Sequence, residues 1–214
     1  GPPRFKGALT PPRGTGARPR SVFGQRELLT GDPMKFAALA SALAAAFALT
    51  IAPIPAQATI ETPEARQTAA RAADDAHERM RAAFGIRDLA NGKYRWKDGR
   101  KRVTKVVVSL SEQMAFAYDE DELIGVSTVS TGTESHPTPT GIFPILEKKR
   151  HHRSRKYDDA PMPYMQRLDR WGIALHAGHL PGRPASHGCI RLPAAFAAKL
   201  FAGTSIGTEV LIGA

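Results

Sequence analysis

After Arg102 the periodicity of the apolar residues in this chain changes to two. "KVVVSL" (Lys105 to Leu110) and "QMAFAY" (Gln113 to Tyr118) are separated by Ser111-Glu112, and the acidic turn "DEDE" leads into "LIGVSTVSTG" (Leu123 to Gly132). Successive side chains on a strand point to opposite faces, so short alternating runs joined by tight polar turns specify an antiparallel meander. Further strands are expected at "GIFPIL" (Gly141 to Leu146), "GIALH" (Gly172 to His176) and "TEVLI" (Thr208 to Ile212). One helix is expected in this half. Pro193 starts it, and Phe196 with Leu200, and Ala197 with Phe201, fall one turn apart on its inner side. Residues 102–214 therefore read as one mostly β domain with a short helix launched just after the chain's single cysteine, Cys189.

Upstream the signals are different. Thr62-Pro63-Glu64 opens a helix with a capping hydroxyl, a first-turn proline and an early acid, and the alanine-rich run that follows ends at Gly85. With few large apolar residues, this N-terminal α-helix is expected to pack weakly, as a spacer or surface helix. "NGKYRWKDGRKR" (Asn91 to Arg102) is polar and broken by glycines, so residues 59–101 read as helix plus linker. From Met34 the chain has Lys35, an uncharged apolar run, Pro53, Pro55 and then Ala56-Gln57-Ala58, the pattern of a secretory signal with cleavage after Ala58. A retained membrane anchor is the alternative. Residues 1–33 are basic and rich in Pro and Gly, with no periodicity, and read as an unstructured extension ahead of the signal. The formal net charge of +10 falls to +5 once residues 1–58 are set aside, since they hold seven basic and two acidic residues. Such modest basicity suits an anionic polymer of the cell envelope. No basic stripe interleaved with aromatics appears, so nucleic acid is not an expected partner.

A lone cysteine in an exported chain cannot form an internal disulfide; it is an inert hydrophobe, an intermolecular bridge or a reactive group. Its neighbours in "SHGCIRL" (Ser186 to Leu192) favour reactivity. His187 lies two residues before the sulfur and a helix begins four residues after it, both of which lower a thiol's pKa. Gly188 permits an unusual turn in which the N–H groups of His187, Gly188 and Cys189 line one concavity, as an oxyanion hole requires. The bland alternative is a buried turn with a satisfied histidine. His176 weighs against that, because it ends an apolar strand and precedes the flexible loop "AGHLPGRPA", well placed to be aimed at the cysteine as a general base. His179, in that loop, reads as a solvated residue.

The ordered elements "STGTESHPTPTGIF", "IALHAG", "SHGCIRL" and "GTEVLI" resemble the L,D-transpeptidase catalytic domain of the YkuD type, over about Val106 to Ile212. The resemblance implies a β-sandwich or barrel in which Cys189 attacks the substrate carbonyl, His176 is its base and the main-chain carbonyl of Ala177 orients the ring. It also places His187 beside the thiolate, has the Gly188 and Cys189 amides stabilise the oxyanion, gives Arg191 the donor's carboxylate and has Ser186 brace the turn. It implies no metal and no organic cofactor. The implied partners are peptidoglycan stem peptides as donor and acceptor, with an envelope protein as an alternative acceptor, and a monomer is expected. The loop from His176 to Ser186 is short, and no wall-binding repeat is apparent.

Between Ile145 and Trp171 lies a long, charged stretch with little regular pattern, where the family carries a lid over its cleft. Met162, Tyr164 and Trp171 are assigned to its inner lining; His151-His152 reads as part of a solvated basic loop. Three rival functions remain at this level. The same thioester chemistry resolved by water would make an L,D-carboxypeptidase. His176-x-x-His179 with His187 and Cys189 supplies ligand types for a zinc hydrolase, although the glycines and prolines between them exclude a helical ligand pair. A non-catalytic envelope-binding module would have no need of the thiol.

Overall fold

The computed structural model describes residues 61–214; the expected signal and the N-terminal extension lie outside the described residues. The period-two segments form two sheets. The larger contains β1 (Tyr94–Trp96), β2 (Lys105–Ser109), β3 (Met114–Asp119), β4 (Glu122–Thr128), β5 (Gly141–Pro144) and β10 (Glu209–Gly213), in the order β1-β4-β3-β2-β10-β5. The smaller contains β6 (Glu147–Lys149), β7 (Met165–Arg167), β8 (Ala174–Ala177) and β9 (Ile190–Leu192), in sequence order. The meander β2-β3-β4 is antiparallel as expected, whereas β10 lies parallel to β2 and β9 parallel to β8.

Side chains from both sheets meet in one apolar layer that includes Val106, Val108, Phe143, Leu175, Ile190, Leu192, Val210 and Ile212. Helix α2 (Ala194–Gly203) closes this layer with Phe196, Ala197 and Leu200, the inner face expected from the sequence; Pro193 caps its start. Full burial of each large side chain contributes roughly 1.5–3 kcal/mol.

Helix α1 (Pro63–Phe84) begins and ends at the predicted signals: Thr62 Oγ1 accepts the Ala65 N–H, and Gly85 closes the helix in a left-handed conformation. Its packing differs from the expectation. Ala69, Ala73, Ala76 and Met80 are buried against Val107, Phe116, Val126 and Leu211 on the outer face of the larger sheet. The small residues make this possible by letting the backbones approach: a Cβ on Gly213 would lie 2.7 Å from the Ala69 carbonyl oxygen and 2.8 Å from the Ala70 Cα. The larger sheet is thus covered on both faces, which is why β2 reads "VVV" without strict alternation.

The expected linker also proves structural. Tyr94–Trp96 pairs with β4, and the Trp96 ring lies over Gly125, where any side chain would collide with it, and meets Phe196 edge-on at 5.5 Å. Among the described residues, no helix is long and apolar enough to cross a membrane.

Candidate active site

The parallel pairing of β8 with β9 sets His176 opposite Arg191, while Leu175 opposes Ile190 and Ala177 opposes Leu192. Ile190 and Leu192 enter the core, so Cys189 and Arg191, two residues apart, turn to the other face and join the lining of a cleft that His176 also lines. The cleft has a volume of about 950 Å³. The placement of Cys189 and Arg191 follows from alternation along β9, and that of His176 from its register opposite Arg191.

Ser186 and Gly188 shape the turn before the thiol. Ser186 Oγ donates to the Cys189 carbonyl and accepts the Gly188 N–H at 3.1 Å, so the bracing role expected of Ser186 has a definite geometry. The same bond qualifies the expectation for Gly188, whose amide can serve an oxyanion only by leaving Ser186. Gly188 has φ +107°, a backbone that L side chains rarely adopt, so the turn requires glycine; the one close neighbour of a Cβ there, Ile173 Cδ1 at 2.5 Å, is the mobile end of a side chain. Thr138, from the "HPTPTG" segment, donates to the Gly188 carbonyl at 2.8 Å and accepts the Gly132 N–H at 2.9 Å. That role was unassigned from sequence, although the motif itself was visible.

His176 is 7% exposed and its Nδ1 donates to the Ala177 carbonyl at 2.8 Å, leaving Nε2 as the basic nitrogen. Burial lowers its pKa to about 4, with the Ala177 carbonyl opposing the shift and the charges of Arg191 and His152 adding to it. The Cys189 thiol donates to the Gly172 carbonyl at 3.5 Å. Its pKa is raised, chiefly because burial disfavours the thiolate. This reverses the lowered thiol expected from the sequence: desolvation outweighs the main-chain bond at Ala174 and the Arg191 charge, which favour the thiolate. At neutral pH the site therefore holds a neutral thiol and a neutral imidazole.

The lid stretch, expected to lack regular pattern, is built on the hairpin β6–β7, and its tip brings His152, Arg155, Lys156, Tyr157 and Met162 to the cleft. Tyr157 stacks on His187 with ring centroids 4.3 Å apart, and His136 meets the other histidine edge at 4.9 Å. His187 is thus an exposed ring held between aromatic neighbours, and Tyr157 is a wall residue that sequence reasoning passed over. Met162 and Met165 pack with Cys189 and Ala174. Trp171 lines the mouth, 73% exposed, with the Arg170 guanidinium 4.6 Å from its ring centroid. Tyr164 is not in the cleft: its ring leans on Phe201 at 5.9 Å, beneath the Arg150 guanidinium, because its own backbone turns at φ +57°. His152 and His179 line the cleft, and His151 does not.

Asp169 does not pair with Arg191. Its Oδ1 accepts the N–H groups of Trp171, Gly172 and Ile173 at 2.8–2.9 Å, fixing the loop that enters β8. An aspartate before "RWG" is an Asx-turn signal that could have been read from the sequence. No carboxylate of the described residues makes an ion pair with Arg191. Among the described residues no group of three His, Cys, Asp or Glu side chains could hold a metal ion, and His176, His179, His187 and Cys189 do not converge as ligands.

A thiol in the turn just before β9 and a carbonyl-oriented imidazole on the neighbouring β8, lining one cleft rich in cationic side chains, define a site of the cysteine–histidine type. The chain belongs to the L,D-transpeptidase catalytic domain family, YkuD type, whose model matches residues 103–212. Solved structures similar to it include an L,D-transpeptidase from Mycobacterium tuberculosis H37Rv, at 24% identity over 50% of this chain and 56% of that one, with a TM-score of 0.48. One from Mycobacterium smegmatis is 22% identical over 51% and 58% of the two chains, with a TM-score of 0.47. Another, from Stackebrandtia nassauensis, is 22% identical over 64% and 75%, with a TM-score of 0.49. This chain spans little more than half the length of the first two. No curated protein matches it.

Proposed function

We propose that the protein is a peptidoglycan L,D-transpeptidase with Cys189 as nucleophile. The observation that carries this reading is the His176–Ala177 bond, which fixes the tautomer with Nε2 free in the same cleft as the thiol. As the sulfur attacks the carbonyl carbon of the meso-diamino acid, in the peptide bond that joins it to the terminal residue of a tetrapeptide stem, its proton passes to His176 Nε2. Collapse of the tetrahedral adduct breaks the peptide bond, and the leaving terminal D-amino acid takes that proton. An acceptor amine then attacks the thioester, gives a proton back through His176 and restores the thiol. Arg191, without a carboxylate of its own, holds the donor's carboxylate.

The proposed site of action is the cell envelope, reached by export and cleavage after Ala58; the support is the Ala56-Gln57-Ala58 pattern behind an apolar run. The catalytic reading is tested by intact mass after incubation with a carbapenem, an acylating analogue of the donor. A single adduct mapped to Cys189 in the wild type, and none in Cys189→Ala, is the expected result. An unmodified wild-type protein that also leaves a tetrapeptide stem intact would overturn it.

A further inference from the structure

Gln113 lies in the β2–β3 turn, far from Cys189 in sequence, and has φ +54°, a left-handed backbone that a long side chain adopts at a cost of about 1 kcal/mol or more. Glycine or asparagine would suit that backbone better. What they could not supply is reach. Gln113 Nε2 donates to Thr131 Oγ1 at 2.6 Å and to the Leu110 carbonyl at 2.8 Å, while its Oε1 accepts the Thr131 N–H at 3.0 Å. Its main-chain carbonyl accepts the Val129 N–H at 2.8 Å.

Thr131, so clamped and 2% exposed, is the centre of the platform beneath the nucleophile's turn. Its carbonyl accepts the N–H groups of both Ala185 and Ser186, at 2.9 and 3.0 Å. On either side, Ser130 exchanges main-chain bonds with Arg191, and the Thr133 N–H donates to the Ser186 carbonyl at 3.1 Å. Ser186 then holds Gly188 and Cys189 through its hydroxyl. An unbroken hydrogen-bonded path therefore runs from Gln113 through Thr131 and Ser186 to the residue bearing the thiol.

We propose that Gln113 is a positioning residue for the nucleophile, holding the Thr131 platform on which Ser186 sets the Cys189 turn. The proposal rests on the reading of Cys189 as the reactive thiol, and its deciding test, alkylation of that thiol, does not depend on carbapenem acylation. Gln113→Met retains length and bulk without the hydrogen bonds; Gln113→Glu retains the oxygen for the Thr131 N–H; Met114→Ala weakens the next residue, which packs under α1 on the opposite face of the sheet. The rate of Cys189 alkylation by a small uncharged thiol reagent is measured across pH for each, beside thermal unfolding. Gln113→Met is expected to change the alkylation rate and displace its pH profile, with Gln113→Glu between it and the wild type. Met114→Ala is expected to lower the melting temperature and leave the profile unmoved. Where carbapenem acylates the wild type, Gln113→Met should slow the maximal acylation rate on the order of tenfold to a hundredfold at little-changed half-saturation. A Gln113→Met profile superimposable on the wild type, or a shift equalled by Met114→Ala, overturns the proposal. A wild type that alkylates normally but is inert to both carbapenem and stem peptide overturns the transpeptidase reading instead.

Discussion

His176 donates from Nδ1 to the carbonyl of its own neighbour, Ala177, at 2.8 Å. The bond fixes the tautomer of a strand-end histidine that lines the same cleft as Cys189. In the proposed mechanism base and nucleophile act as one unit. His176→Ala is expected to slow Cys189 acylation by about a hundredfold or more, Cys189→Ala to abolish it, and the double variant to be no worse than Cys189→Ala in stem turnover. His179→Ala should retain most activity. If His179→Ala were the dead variant and His176→Ala active, the base would be His179.

The pH dependence follows from burial. With His176 lowered to about 4 and the thiol raised, acylation should be nearly flat from about pH 5.5 to 8 and fall only as His176 gains its proton. Alkylation by a small thiol reagent should keep rising past pH 9.0, the ordinary thiol value, where an ion-paired thiolate would already be on a plateau. The same lowering enters stability. The unfolded chain binds a proton at His176 below about pH 6.5 and the folded chain not until about 4, so stability is full above that window and declines through it as the pH falls. The loss is of the order of 3 kcal/mol at most. His176→Gln should flatten the melting temperature between those two pH values; an unchanged slope would assign the acid sensitivity to other groups.

Docking of α1 depends on close backbone approach as well as on apolar area. Met80→Ala should destabilise by about 2–5 kcal/mol, because the side chain is wholly buried. Gly213→Ala should be at least as harmful despite adding one methyl group, since the new Cβ would meet main chain of Ala69 and Ala70, which cannot swing aside as a side chain could. Thermal unfolding of both variants is the measurement. A Gly213→Ala protein with the wild-type transition would mean that the helix lies farther from β10.

What the sequence made legible follows from how local each signal is. The meander, the capped ends of α1 and the start of α2 are written in neighbouring residues, and so is the face shared by Cys189 and Arg191. The packing of α1 was not, because its alanines look like weak apolar surface until Gly213 on β10 is known to face them. Trp96 seemed part of a polar linker for the same reason, its receptor being Gly125 on another strand. Tyr164 was misplaced because a left-handed backbone turns its ring toward Phe201. The direction of the thiol shift was missed since proximity to a histidine can be counted in sequence, whereas the desolvation that overcomes it belongs to the assembled cleft.

On the proposed reading, Arg191 serves recognition of the donor and not the chemical step. Its aliphatic stem lies against Gly178, where a Cβ would come within 3.0–3.2 Å of it, so Gly178 leaves a channel that directs the guanidinium into the cleft. Among the described residues the buried acid nearby is Asp169, and its Oδ1 is occupied by three main-chain N–H groups. A guanidinium without a protein carboxylate, set beside the thiol, is arranged to receive one from the substrate, and a two-pronged grip of that kind is poorly replaced by an ammonium. Arg191→Lys is therefore expected to raise the KM for a tetrapeptide stem about tenfold while leaving alkylation of Cys189 by a small uncharged reagent almost unchanged. Amidating the stem's terminal carboxylate should impair the wild type and add little to the defect of Arg191→Lys. If alkylation and turnover fell together, or the variant lost its thermal transition, Arg191 would be holding the turn and not the donor.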